Sequence, residues 1–400
     1  MALLTELEYG RHAYFKLVGK IKLSENGFSG PRTYDTSSWY GVNESFGVDV
    51  GDGNVVYPRV SGGYDLKINK LFRKDKDFKA LEIPVADRHK EEWVSRVNQS
   101  QFKRASLVRG EDGKVVIEKF ISDIDYAEYL KENLVEGTEV VVSGEVSYSL
   151  GKDGETVYRN YDVKNIYLNE TVVDEDGASK LKNPPEAFIR QTYLVDDSSL
   201  SSTYKKDLEK EGETVISLTV PQYLGKILHN GQKITWKRVT PLRQALVYRI
   251  DKSLDEEQLA KTIKWPERLF KIKKDTVREI HIIAKINEGH SVETGIANIS
   301  PALQELIDDG LLSLEDVKNQ TTVRGARISE LIYLRPHVEK TEDGVAIPYR
   351  DDKYSSDVLV APYFDDSEGE DVETLEDVVE SEDDNVTSLD DDEFAAIFNV

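Results

Sequence analysis

Residues 12–24 (HAYFKLVGKIKLS) crowd aromatic and branched side chains into one run broken by Gly19, the pattern of a β-strand with a bulge or sharp bend. Glu25–Gly63 follows as a loop-heavy, glycine-rich insertion carrying Trp39, Tyr40, Phe46 and Tyr57. Those aromatics either button a satellite core or are held out for stacking. Tyr64–Leu71 and Phe78–Pro84 read as the two strands of a hairpin, with Phe72, Arg73, Lys74 and Lys76 in its connector. Asp87–Asn98 is expected to be a helix and Val115–Phe120 a strand. In Asp123–Leu134 the apolar positions Ile124, Ala127, Leu130 and Leu134 share one helical face, with Asp123 as the cap.

A period of two then takes over. Thr138–Ser149 (TEVVVSGEVSYS) and Thr156–Leu168 (TVYRNYDVKNIYL) are β-rich runs joined through a Lys-Asp-Gly turn, a strong hairpin signal. A helix, a long strand with a central glycine, a hairpin and a closing strand make the late half of a five-stranded Greek-key barrel of the OB type. Thr171–Glu186 includes Pro-Pro and reads as a linker. Beyond it Ala187–Leu194, Glu213–Val220 and Val277–Ile286 look like strands, Ser300–Leu311 carries helix start and stop signals, and Thr321–Leu334 closes the series. Val323-Arg-Gly325 echoes Val142-Ser-Gly144, and Ile332-Tyr-Leu334 repeats Ile166-Tyr-Leu168. The expected fold is mainly β, a tandem of OB-fold-like five-stranded barrels over residues 1–170 and 187–338. The first would carry the insertion at 25–63 and the second a basic insertion at 225–275. An irregular linker at 339–364 and a disordered acidic tail at 365–400 complete the chain.

Charge alters this picture in two places. Asp365–Val400 holds 16 Asp and Glu and no Lys, Arg or His, so self-repulsion and low hydrophobicity oppose its ordering. At its tip Phe394, Ile397 and Phe398 share one side of a helical turn, an apolar hook on an acidic tether that suits a basic-rimmed pocket on a protein partner. A solubilising tail with stray hydrophobics is the plainer reading. Without the tail the formal charge of −23 shrinks to −7, because residues 1–364 set 52 Lys and Arg against 59 acids. The most basic stretch is Gly225–Lys285, where 15 Lys and Arg face 7 acids with Trp236, Tyr248, Trp265 and Phe270 interleaved. Its densest part carries Lys233, Trp236, Lys237 and Arg238, followed by Arg243 and Arg249. It is either a solvated face or a surface on which positive charge has been placed.

Cations beside aromatics on small barrels suit single-stranded nucleic acid. Lys and Arg neutralise phosphates, and rings stack on bases for about 1–3 kcal/mol each without choosing a sequence. In the first barrel Tyr148, Tyr158, Arg159 and Tyr161 on the hairpin join Trp39, Tyr40, Phe72, Arg73, Lys74 and Lys76 as candidate contacts. Tyr158 and Tyr161 have opposite strand parity, so at most one faces a ligand unless a bulge intervenes. The chain has no GxxxxGK[ST], GxSxG or HExxH pattern and no cysteine, so an enzyme is not expected, although a metal-dependent nuclease needs no local motif. Six histidines without an HxH or HxxxH pair make a zinc site improbable, and no cofactor is expected. A nucleic-acid mimic or polymerase-binding regulator acting through the tail is a further alternative, one with no use for the basic block. No apolar run nears the roughly 18 residues of a membrane span, and no secretory pattern opens the chain, so it is expected to stay where it is made.

The TEVVVSGEVSYS–KDGE–TVYRNYDVKNIYL segment and the tail ending DDDEFAAIF resemble bacterial and bacteriophage single-stranded DNA-binding proteins. Those proteins combine an OB-fold with an acidic tail whose hydrophobic tip docks replication and repair partners. This chain departs from the bacterial pattern: the tip lacks a final Pro-Phe, Asn399 and Val400 follow Phe398, and a second large module is present. The departures point toward a viral relative. The resemblance implies a protein that coats and protects unwound DNA in replication or recombination, in the cytoplasm of the host cell if phage-encoded.

Overall fold

The structure, a computed structural model, describes residues 3–8, 13–24, 27–34, 37–151, 153–154, 156–173, 178–229, 232–293, 323–340 and 346–359. Strand β1 (Ala13–Lys22) buries Ala13, Tyr14, Phe15, Leu17, Val18 and Ile21, so both of its faces are covered and it lies inside the sheet. The N-terminal half continues with β2 (Ser37–Ser45), β3 (Gly47–Asp49) and β4 (Arg59–Asp65), then the hairpin of β5 (Lys70–Lys74) and β6 (Ala80–Pro84). Next come β7 (Lys103–Ser106), helix α1 (Asp123–Asn133), β8 (Glu139–Leu150) and β9 (Val157–Leu168). Strand β1 pairs antiparallel with β8 along one edge. Along the other it pairs first with a strand of the C-terminal half and then, from Lys20, with β3. The change of partner falls at Gly19, where a Cβ would stand 2.2 Å from the Asp49 carbonyl oxygen. Strands β2 and β4 pair over seven residues, β4 runs parallel to β9 at Arg59 and Asp162, and β9 pairs antiparallel with β8. That last ladder shifts register between Ser143 and Gly144, and a Cβ on Gly144 would meet the Asp162 oxygen at 2.0 Å. Both glycines singled out as bends therefore sit where backbone crowds backbone.

The C-terminal half comprises β10 (Glu186–Val195), α2 (Tyr204–Glu211), β11 (Glu213–His229), β12 (Gln232–Arg249), α3 (Glu256–Phe270), β13 (Thr276–Glu293) and β14 (Val323–Pro336). Its five strands close a barrel. β10 pairs with β11, β11 with β12, β12 runs parallel to β14 at Val247 and Ile332, β14 pairs with β13, and β13 returns to β10. β1 and β10 join the two halves edge to edge, and one hydrophobic core runs through both. Residues 66–121 carry a small core of their own, built from Leu71, Leu81, Ile83, Val85, Val97, Phe102 and Ile121.

Several expectations are corrected. Residues 25–63 are not a loop but mostly strand, because glycines at outward or crowded positions hide the alternation of Val42, Phe46, Val56 and Val60, which are all buried. The helix expected over 87–98 shrinks to a single turn, Glu91–Val94, none of whose residues is buried. Helix α1 is capped by Ser122, whose side chain accepts from the Asp125 N–H, while Asp123 turns instead to Lys103 at 2.9 Å and Arg73 at 3.4 Å. Two helices went unread: α2, ended by Gly212 at φ 86°, and α3, capped by Asp255. α3 tolerates Pro266 because the Thr262 carbonyl, which a proline cannot engage, accepts the Tyr248 hydroxyl at 3.0 Å. The expected linker at 171–186 holds a short exposed hairpin, Thr171–Val173 with Ser179–Leu181. The expected helix at 300–311 and the acidic tail lie outside the described residues.

Candidate nucleic-acid interface

Much of the basic block folds as a two-stranded ribbon. β11 and β12 pair from Glu213 and Arg249 out to His229 and Gln232, yet their other edges meet barrel strands only near Thr219 and Val247. Where the ribbon leaves the barrel Pro221 faces Pro241. Neither ring has an N–H to donate, so the missing donors belong to the outer edges, and a foreign strand finds none there. A register shift between Leu224 and Lys226 follows, with Lys237 opposite it at φ 45°. Lys226, Lys237 and Arg238 are exposed on this distal part. Trp236 is half-buried: its Nε1 donates to Thr240 Oγ1 at 2.8 Å, and the Arg238 guanidinium rests 5.4 Å from the ring centre. The pair presents a braced charge rather than a bare ring. Lys233 lies in β12 opposite Leu228, and its side chain is outside the described residues.

The other two cations of the block are engaged elsewhere. Arg243 reaches Asp196 at 3.3 Å. Burial works against that carboxylate, but hydrogen bonds from Ser198 and the charge of Arg243 outweigh it and hold Asp196 below its ordinary pKa. Arg249 is clamped between Glu213 at 2.7 Å and Glu330 at 2.9 Å. It stands twelve residues from Lys237 along β12, about 40 Å at strand rise, so the six predicted contacts do not form one patch.

In the N-terminal half the candidates also separate. Tyr158 is 56% exposed near the hairpin end, whereas Tyr148 and Tyr161 are buried. The strand parity read from the sequence thus holds, but the inward face of the hairpin meets the C-terminal barrel. Tyr148 donates its hydroxyl to Gln191 at 3.0 Å, its N–H goes to Gln222 at 3.2 Å, and Tyr161 donates to Glu288 at 3.4 Å. Arg159 lies between them, its guanidinium donating to the Tyr161 hydroxyl at 3.2 Å and standing 4.0 Å from Glu288. Its Nε finds no acceptor among the described residues. Burial pushes the Tyr148 hydroxyl up to about 12, against the pull of Arg159. Tyr148, Arg159 and Tyr161 are therefore a joint between the halves, and the structure does not present them to DNA.

Tyr40 points inward and meets Tyr64 edge-on at 5.6 Å, while Trp39, on the opposite face of β2, folds its indole back over Gly41. Phe72 and Arg73 belong to β5 rather than to a turn. Arg73 donates to the Ile121 carbonyl at 2.9 Å and pairs with Asp123, so it holds the β5–β6 hairpin to α1. Lys74 is half-buried at the end of β5, and Lys76 is exposed in the turn. Asp162 gathers Arg59 at 2.7 Å, Ser147 at 2.7 Å and Ser61 at 3.3 Å on the outer face of β4, β8 and β9. Against the cost of burial, these partners hold its carboxyl below the usual range. Phe394, Ile397 and Phe398 lie outside the described residues.

The sequence reading missed Lys226 and Phe78, the latter 52% exposed, and left Tyr57, 58% exposed, undecided between core and stacking. Lys226 lay inside the block already singled out for its charge. Among the described residues no group of three or more metal-ligating side chains occurs, and no helix is long and apolar enough to cross a membrane. No protein-family model matches the chain, and no curated protein does. Among solved structures it is similar to a deletion mutant of the single-stranded DNA binding protein from Thermus aquaticus, with 12% identity, 70% of this chain and 87% of that chain covered, and a TM-score of 0.27. A likeness at that score bears on neither fold nor function.

Proposed function

We propose that this chain is a tandem of OB-type barrels that binds single-stranded DNA without choosing a sequence. In an OB barrel the strands neighbour one another in the order first, second, third, fifth, fourth, with third and fifth parallel. The C-terminal barrel has that order, and the N-terminal pairings follow it if β2 and β3, separated by Phe46 alone, count as one second strand. The observation that carries the reading is the distal β11–β12 ribbon. It extends the second and third strands, the face such barrels use for oligonucleotides, and it exposes Lys226, Lys237 and Arg238. A nucleic-acid mimic would gain nothing from that arrangement.

On this reading the protein is a coat for unwound DNA in replication or recombination, not an enzyme. It is phage-encoded, works in the host cytoplasm, and recruits partners through Phe394, Ile397 and Phe398 of its acidic tail. The test is a titration of the full chain with single-stranded and duplex oligonucleotides over a range of salt. Preference for the single strand, with affinity falling by several log units per log unit of salt, is the expected result. Equal affinity for duplex, or binding indifferent to salt, would refute the proposal.

A further inference from the structure

The turn between β5 and β6 holds its one aromatic side chain in a conformation that suits glycine. Phe78 has φ 61° and is 52% exposed. Its N–H donates to the Asp75 carbonyl at 2.9 Å, and the Asp75 N–H donates to the Lys79 carbonyl at 2.8 Å. The Asp75 carboxylate accepts from the N–H groups of Asp77 and Lys79, both at 2.9 Å. This closed turn ends in a left-handed residue, the place where hairpins of this kind ordinarily put glycine. A bulky side chain there is an outlier, and it brings no burial in return.

The strained residue is also rigidly mounted. The Asn98 N–H donates to the Lys74 carbonyl at 2.9 Å, Asp75 bridges to Val97, and Val97 is buried in the small core of residues 66–121 with Leu71, Leu81 and Ile83. Arg73 ties the same hairpin to Ile121 and Asp123. In the same turn Lys76, Asp77 and Lys79 are exposed, and the Lys79–Asp77 ion pair, at 4.0 Å, is 77% exposed on both sides. Residues 66–121 hold 14 Lys and Arg against 9 acids in a chain of net charge −23.

We propose that Phe78, flanked by Lys76 and Lys79 at the tip of the β5–β6 hairpin, is a stacking contact for an unpaired base of a single-stranded nucleic acid, lying outside both barrels. The inference rests on the proposed function and extends its site. A protein partner is disfavoured by the surroundings: one ring among charged side chains lacks the apolar rim that excludes water from a protein hot spot. Stacking on a base with lysines on the neighbouring phosphates needs no such rim. A pre-set ring also loses little freedom on binding, which gives the strained backbone a use.

The experiment compares full-length wild type with Phe78→Gly and Phe78→Trp, measuring affinity for homopyrimidine single strands of graded length and the thermal midpoint of each protein. Glycine is at ease at φ 61°, so Phe78→Gly should melt at or above the wild-type midpoint. It should nevertheless bind long strands at least about 5-fold more weakly, with no loss on strands too short to leave the barrels. Phe78→Trp should retain binding on the long strands. Wild-type affinity for Phe78→Gly at every length would overturn the proposal while leaving single-strand binding by the barrels intact. A lowered midpoint together with weaker binding at all lengths would also overturn it, by making the ring structural. Absence of single-strand binding by the wild type would remove both this proposal and the function it rests on.

Discussion

Replacing Glu288 with Gln tests whether the joint between the halves is electrostatic. Gln keeps the shape and still accepts the Tyr161 hydroxyl, so the substitution removes charge and little else. The Arg159 guanidinium stands 4.0 Å from Glu288, and both side chains are nearly buried, 12% and 14% exposed. Two unit charges at that distance attract by about 4 kcal/mol at the effective dielectric that reproduces protein measurements. Breaking a buried pair by removing one partner costs about 3–5 kcal/mol, because the other charge stays behind uncompensated. Arg159 is poorly placed to recover that loss, since its Nε has no acceptor among the described residues and its other neighbours are tyrosines.

The expectation for Glu288→Gln is therefore a loss of about 3–4 kcal/mol. At about 2 °C per kcal/mol for a large domain, the melting midpoint should fall by about 6–8 °C. The double variant Arg159→Met, Glu288→Gln removes both charges and fills the guanidinium's place with apolar volume, so it should recover most of that fall. Circular dichroism melts at neutral pH decide the matter. If the double variant melts no higher than Glu288→Gln alone, the 4.0 Å contact is a neighbourhood and not an interaction.

Three further outcomes can be checked. Changing Lys226, Lys237 and Arg238 together to Ala should weaken single-strand binding for every sequence and flatten the log–log salt slope by about 2 units, at about 0.7 for each lost phosphate contact; an unchanged slope would make the ribbon a solvated face. Gly19→Ala should cost about 3 kcal/mol or more, because a Cβ 2.2 Å from the Asp49 oxygen meets backbone that cannot step aside, and a melting midpoint equal to wild type would contradict the crossing geometry. Burial pushes Tyr148 and Tyr248 up to about 12 from 10.0. A raised pKa stabilises the fold fully below the unfolded value, so stability should hold up to pH 10 and drain between pH 10 and 12. Ionisation of the buried phenols should then coincide with unfolding, and complete titration of all tyrosines in a still-folded protein would count against it.

What the sequence disclosed was local, and what it withheld depended on partners far along the chain. The β8–β9 hairpin, the stripe of α1 and the two bending glycines follow from periods of two and 3.6, which neighbouring residues determine between them. The inner face of that hairpin also reads correctly as a face, but nothing nearby says whether solvent, DNA or the other half of the chain covers it. Gln191, Gln222 and Glu288, which settle the fate of Tyr148, Arg159 and Tyr161, lie 43, 74 and 127 residues from their partners. Arg249, a candidate contact on sequence grounds, is likewise engaged by Glu330, which lies 81 residues away. The internal echoes divide in the same manner. Ile166-Tyr-Leu168 and Ile332-Tyr-Leu334 fall on strands that occupy the same place in the two circuits, β9 and β14, whereas Val142-Ser-Gly144 lies in β8 and Val323-Arg-Gly325 in β14. A three-residue match carries no topology of its own.

Phe78 is the instructive failure, because the information needed was local after all. Reading Phe72 to Asp77 as the connector put the wrong aromatic at its tip. In the actual register Lys70 faces Pro84 and Lys74 faces Ala80, so the turn is Asp75–Lys79 and its left-handed position falls on phenylalanine. Turn rules favour glycine or asparagine there, so a reader applying them slides the turn toward residues that obey, and the strands follow. The register is fixed instead by burial: Leu71, Leu81 and Ile83 must all face the same small core, and a slip of one residue would turn them to solvent. Core burial therefore outweighed turn preference, and the strain was left on one exposed ring. A fold that needed only the hairpin would have had glycine at residue 78. Retaining phenylalanine there makes sense if the ring has a ligand, and the contrast between the stability and the DNA affinity of Phe78→Gly measures that directly.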